Sequence, residues 1–181
     1  MSIEPKISRT EKVRLSTTEE VEYIRNYLQE HRYDHPGDFD SQMDPDYVSS
    51  DYENGTVTIR WTAKKWEMNH IGILHGGIMA SILDHTAGYA AYAFLGHWCP
   101  TVDIDVKLIS QVNVGDELTC VGKVIHAGGR FVTASAELYN ETSGRLAATG
   151  LMEYANGAKA NVKVQPESVD QAGSRLTRGR A

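Results

Sequence analysis

Most positions between Ile78 and Leu95 are Ala, Leu, Ile, Met, Phe or Tyr, and no Lys or Arg occurs. One carboxylate, Asp84, sits in the middle of this run. A helix that is apolar around its whole circumference is buried on every side, in a protein core or in a membrane. An ionised aspartate is costly there unless it is hydrogen-bonded or wetted. A membrane span needs about 20 apolar residues with few or no charges. This run is shorter, is broken by Ser81, Asp84 and His85, and has no second candidate along the chain. A core helix is the better reading. Asp84 then either caps or pairs with a neighbour, or reaches a cleft where perturbed groups collect. The polar, glycine-rich stretch from Asn69 to Gly77, directly upstream, favours the cleft.

The 181 residues suffice for one domain with attachments. A formal net charge of −6 argues against a nucleic-acid surface, which would show basic clustering. Acids are dense from Glu4 to Glu53, and Arg175, Arg178 and Arg180 mark the tail; both read as solvated flanks. Cys99 and Cys120 form no CxxC and no metal spacing, which points to a reduced, intracellular setting. The seven histidines occur in no ligand pattern such as HExxH. The N-terminus lacks a signal h-region and the basic, amphipathic character of a transit peptide. The expectation is a cytoplasmic protein without a metal or other cofactor.

Ser16, Thr17 and Thr18 precede a helix from Glu19 to Glu30, striped by Val21, Ile24 and Leu28. The following stretch, with Pro36, Gly37 and Pro45, reads as loop. A hairpin turning at Asn54-Gly55 comes next, then the long helix. "TVDIDVKLISQV" alternates Val102, Ile104, Val106 and Leu108 on one face of a strand. "DELTCVGKVIHA" and "RFVTASAELYN", joined at Gly128-Gly129, and "RLAATGLMEYA", after the turn "ETSG", complete a meander. The small residues Ala134, Ala136, Ala147, Ala148 and Gly150 would let a helix lie close to the sheet. Strands with one helix segregated to a face indicate an α+β fold, a curled antiparallel sheet wrapped around one long central helix. The predicted units are an N-terminal extension, 1–46, with one amphipathic helix; the domain proper, 47–156; and a flexible polar tail, 157–181.

Asn69, Gly72, His75, Gly76, Gly77 and Asp84 stand in a pattern that resembles the hotdog-fold acyl-CoA thioesterases. The resemblance is to the branch with the phenylacetyl-CoA and related medium-chain enzymes. It covers about Gly55 to Ala155 and includes the Gly-Asp turn in "TVDIDVKLISQVNVGDEL". It implies a hotdog fold and a substrate that is an acyl-CoA. The acyl or aryl thioester would be hydrolysed to an acid and free coenzyme A, with no further cofactor. It implies Asp84 as general base or nucleophile, and the backbone N–H of Gly76 as the donor to the oxyanion. Asn69 and His75 would position the loop and the acyl group or water, and Thr101 would help hold the water. The family also implies a homodimer, or a tetramer, with sites across the interface.

The chemistry can be argued from its parts. Thioester hydrolysis needs a base or nucleophile, and donors where the carbonyl oxygen becomes negative. The first N–H groups of a helix have no intrahelical partner and lie at the positive end of its dipole. Glycine lets a carbonyl approach them closely. Eight residues of helix between Gly76 and Asp84 span about 12 Å at 1.5 Å per residue. Groups so far apart do not flank one carbonyl, so a shared reaction needs two chains. His75, without the family, reads as a helix-start hydrogen-bonder, and His85 as structural. His70 carries no expected role. Lys64, Lys65, Lys123 and Arg130 read as surface charges before coenzyme A contacts. The rival readings are an acyl-thioester dehydratase or hydratase on the same fold, and a noncatalytic acyl-CoA-binding module.

Overall fold

The computed structural model describes residue 37, residues 39–51 and residues 54–156. The expected helix from Glu19 to Glu30 and the expected tail from 157 to 181 lie outside the described residues. The elements are α1 (Phe39–Met43), β1 (Asp46–Asp51), β2 (Thr56–Thr62), a 3-10 turn (Lys65–Glu67), α2 (Gly76–Leu95), β3 (Thr101–Leu108), β4 (Glu117–Ala127), β5 (Phe131–Asn140) and β6 (Arg145–Ala155). The six strands form one antiparallel sheet in the order β1-β2-β4-β5-β6-β3. This is the predicted α+β hotdog arrangement.

The apolar run becomes α2 because its Ala, Leu and Ile content suits both helix propensity and burial. It starts at the glycine pair and ends at Gly96, which caps it in the left-handed conformation with φ 73°. The helix packs mainly across β4 and β5. Ile82, Leu83, Ala87 and Ala90 have at most 1 % of their surface exposed. Ala134, Ala136, Ala147 and Ala148 are buried as predicted. Gly150 shares that inner face, in one row with Ala136 and Gly122, and a Cβ there would meet Val106, the Asp105 carbonyl and the core residue Met152 at 3.1–3.2 Å.

Two readings are corrected. The stretch read as loop contains α1, and its Met43 is buried in the core. Lys64 holds that end of α1, its Nζ donating to the Gln42 carbonyl at 3.0 Å and pairing with Asp44 at 3.3 Å. β3 is read as carrying Val102, Ile104, Val106 and Leu108 on one face, yet the register shifts between Thr101 and Asp103, Val102, Ile104 and Leu108 are 51 %, 44 % and 51 % exposed, and Val106 packs against the core. The strand is the sheet edge beside β6, while α2 lies against the sheet centre. The hairpin is present: Asp51 pairs with Thr56, and Gly55 takes φ 60° in the connection.

Candidate active site

The two ends of the expected motif occupy different places. At the start of α2, the loop from Asn69 to His75 is tied down by its own polar groups. The Asn69 side-chain oxygen accepts from the N–H of Ile71 at 3.0 Å and of Ile73 at 3.3 Å. Gly72 supports this turn with φ 85°. The Leu74 N–H bonds to the Val112 carbonyl, and the His75 N–H to that of Glu67. Asn69 therefore shapes the loop. The Gly115-Asp116 turn works similarly, with Asp116 accepting from the Asn113 N–H and from the buried Asn140 amide.

His75 is the N-cap of α2: its Nδ1 accepts from the Gly77 N–H at 2.9 Å. That bond puts the ring proton on Nε2. It also corrects the expectation that both glycine N–H groups are orphans, because the Gly77 N–H is engaged. Among the described residues the Gly76 N–H has no acceptor. A Cβ on Gly76 would stand 2.6 Å from Leu108 Cδ1, so the strand end crowds this position.

Asp84, half-buried, lies in the interior of α2. The Thr101 hydroxyl donates to its carboxylate, 3.0 Å from Oδ1 and 3.3 Å from Oδ2. The Tyr154 hydroxyl lies 3.1 Å from Oδ1 and 2.9 Å from the Asp84 carbonyl oxygen. Burial pushes the Tyr154 phenol well up, and the charge of Asp84 and the hydrogen bond to it push it further. Tyr154 is thus a proton donor across the working pH range.

Asp84, Thr101 and Tyr154 line a cavity of about 530 Å³, together with Phe39, Tyr89 and Trp98. Tyr89 meets Trp98 edge-on with centroids 5.0 Å apart, and Tyr92 stacks on Trp98 at 4.3 Å. Stacked and edge-to-face rings give a stiff apolar wall. His85 lines the same cavity and packs 4.6 Å from the Tyr89 ring, with its Nδ1 3.4 Å from the Asp40 carboxylate on α1. The hydrogen bond to His85 holds the Asp40 carboxyl below its usual range; partial burial opposes this, and the His85 charge adds to it. With Asp40 largely exposed, the pair fixes orientation more than it stabilises.

Sequence reasoning missed Tyr154, the aromatic wall and the Asp40–His85 contact. Tyrosine's polar tip needs a partner when its ring is buried, but nothing in the chain order says which partner. Among the described residues no helix is long and apolar enough to cross a membrane.

A family profile described as "Thioesterase superfamily" matches residues 71–147. Mouse acyl-coenzyme A thioesterase 13 is 30 % identical over 83 residues, which are 45 % of this chain and 59 % of the mouse protein. The solved structure of zebrafish thioesterase superfamily member 2 superposes with a TM-score of 0.68 at 22 % identity, over 76 % of this chain and 98 % of that one. The Escherichia coli PaaI protein, from the phenylacetic acid degradation operon, superposes at 0.65 with 19 % identity, over 77 % and 95 %. These two likenesses are of fold.

Proposed function

We propose, from the likeness of residues 71–147 to the thioesterase superfamily, that this chain hydrolyses an acyl or aryl thioester of coenzyme A to a carboxylic acid and free coenzyme A. The observation that carries this reading is Asp84: a carboxylate on an otherwise apolar helix, held by two hydroxyls at the wall of an aromatic-lined cavity.

In the proposed reaction Asp84 takes a proton from water as that water attacks the thioester carbonyl. The oxyanion that forms is met by the Gly76 N–H at the positive end of an α2 helix. Collapse of the intermediate expels the coenzyme A thiolate, which recovers the proton from Asp84. In the alternative route Asp84 attacks the carbonyl itself, and water then hydrolyses the mixed anhydride. Neither route calls for a metal or redox cofactor.

Gly76 and Asp84 of one chain are about 12 Å apart along α2, so the glycine comes from a second copy. The exposed apolar edge of β3 supports such a homodimer, with Ile109 adding to Val102, Ile104 and Leu108. Asn69 and His75 act by fixing the loop that presents Gly76, and Thr101 by holding Asp84. A cytoplasmic location remains part of this proposal.

The test is a panel of short-chain, medium-chain and aryl acyl-CoAs, with free coenzyme A and acid quantified by chromatography. Release is expected for at least one class, and Asp84→Asn should lower it by about 10²–10⁴-fold while the circular dichroism spectrum stays unchanged. Binding without release across the panel would favour the noncatalytic module, and a hydrated or dehydrated acyl-CoA product the dehydratase. An Asp84→Asn protein with undiminished turnover would remove the carboxylate from the mechanism.

A further inference from the structure

Tyr154 and Thr101 are direct partners across the β6–β3 ladder, and both hydroxyls reach the same carboxylate on α2. Tyr154 has only 1 % of its surface exposed, so its hydroxyl has no bulk water to turn to. The Asp84 carbonyl is inside a continuous helix and already accepts the intrahelical bond. A phenol has one proton to donate, shared here between that carbonyl at 2.9 Å and Oδ1 at 3.1 Å. Thr101 likewise stands closer to Oδ1 than to Oδ2. One carboxylate oxygen thus meets two hydroxyls, and the other a single, longer contact.

We propose that Tyr154 is a positioning residue that, together with Thr101, tethers Oδ1 of Asp84 and leaves Oδ2 as the oxygen that works on the substrate. The proposal rests on the thioesterase reading for its kinetic consequence, but the tether itself is a property of the fold. Its physical content is preorganisation. A carboxylate free to rotate about χ1 and χ2 spends part of its time aimed away from the reacting atoms, and small misplacements are expensive in rate. Two donors anchored on adjacent strands remove that freedom before substrate arrives. Because the phenol proton is engaged by Asp84, its effect on kcat is expected to run through the carboxylate.

The experiment uses Tyr154→Phe in the full chain, which keeps the buried ring and deletes only the hydroxyl. On the best substrate of the wild-type protein, kcat is expected to fall about tenfold, the low end of what one hydrogen bond to a charged group contributes. KM should change less than twofold. A merely structural role predicts a lower melting temperature with kcat intact, or a loss carried by KM. A crystal structure of the variant supplies a readout independent of turnover: Asp84 should occupy more than one rotamer, where the wild-type protein has one. A single, unchanged Asp84 rotamer together with wild-type kcat overturns the proposal. If the wild-type protein cleaves nothing in the panel, the thioesterase reading fails, and the rotamer comparison still decides the tether. Should Tyr154→Phe not fold, Thr101→Val and Thr101→Ser probe the same oxygen from the exposed side. Serine should restore the kcat that valine loses, and equal kcat in all three proteins overturns the proposal.

Discussion

Gly122 of β4 lies directly under Thr86 of α2, so close that a Cβ at Gly122 would stand 2.6 Å from the Thr86 carbonyl oxygen and 2.9 Å from its carbon. No side chain at this position can be met by a rotamer change, because the obstacle is backbone. The helix rests on the sheet here at the distance glycine permits, and Thr86, with its hydroxyl bonded to the Ile82 carbonyl at 2.8 Å, is fully buried at the contact.

Gly122→Ala is therefore expected to destabilise the fold by about 1–3 kcal/mol, as overpacking does. Gly122→Val should cost more. Denaturant melts of the purified variants measure this directly. A Gly122→Ala protein as stable as wild type would mean that the helix can lift off the sheet freely. Because Asp84 rides on the same helix, activity should fall along with stability.

Met43 ties α1, ahead of the first strand, into the core. It is 2 % exposed, and Met43→Ala should cost about 2–5 kcal/mol, the usual loss for such a truncation. Deleting residues 1–45 removes Met43 and also Phe39 and Asp40 from the cavity wall. That shortened protein should melt at a lower temperature and turn over acyl-CoA more slowly than the full chain. Wild-type behaviour would show that α1 is dispensable to both core and site.

The two thiols should differ sharply in reactivity. Burial, with the Glu137 charge adding and the Thr86 hydrogen bond opposing, leaves the Cys120 thiol pushed up to about 12. Burial also raises Cys99, which is only half-buried and lines the cavity. The thiolate is the reactive form, so at about pH 8 an alkylating reagent should modify Cys99 slowly and leave Cys120 untouched. Raising the pH should speed the first reaction, with Cys120 reacting only after unfolding. Peptide mass mapping reads both sites. Rapid native labelling of Cys120 would contradict its burial. Bound acyl-CoA should slow the labelling of Cys99.

The cross-chain site can be tested by complementation. Asp84→Asn removes the carboxylate, and Gly76→Val sets a side chain against Leu108 and over the N–H at the helix start. Each protein alone should be inactive. After subunit exchange, a mixed dimer has one site with both defects and one with neither. Activity should return toward roughly half the wild-type value per mixed dimer if the sites act independently. Exchange verified by mass spectrometry, with no return of activity, would place both groups in one chain.

Local chemistry determined much of this protein. The composition and spacing of the run after His75 specify a buried helix, the glycines at 76 and 96 bracket it, and alternation marks the strands. Those signals depend on neighbours a few residues apart, which the chain order contains. His75 as a helix cap was legible for the same reason. The partners of Asp84 were not: Thr101 and Tyr154 lie 17 and 70 residues away from it, and only the β3–β6 register brings them side by side. The alternation in β3 identified a strand but left its exposure open, because period two tells which residues share a face and not whether another layer covers it. Gly150 and Gly122 show the same limit. Both lie on the inner face beside Ala136, yet only at Gly122 are the nearest atoms those of the α2 backbone, because where the helix crosses the sheet is a property of tertiary packing alone.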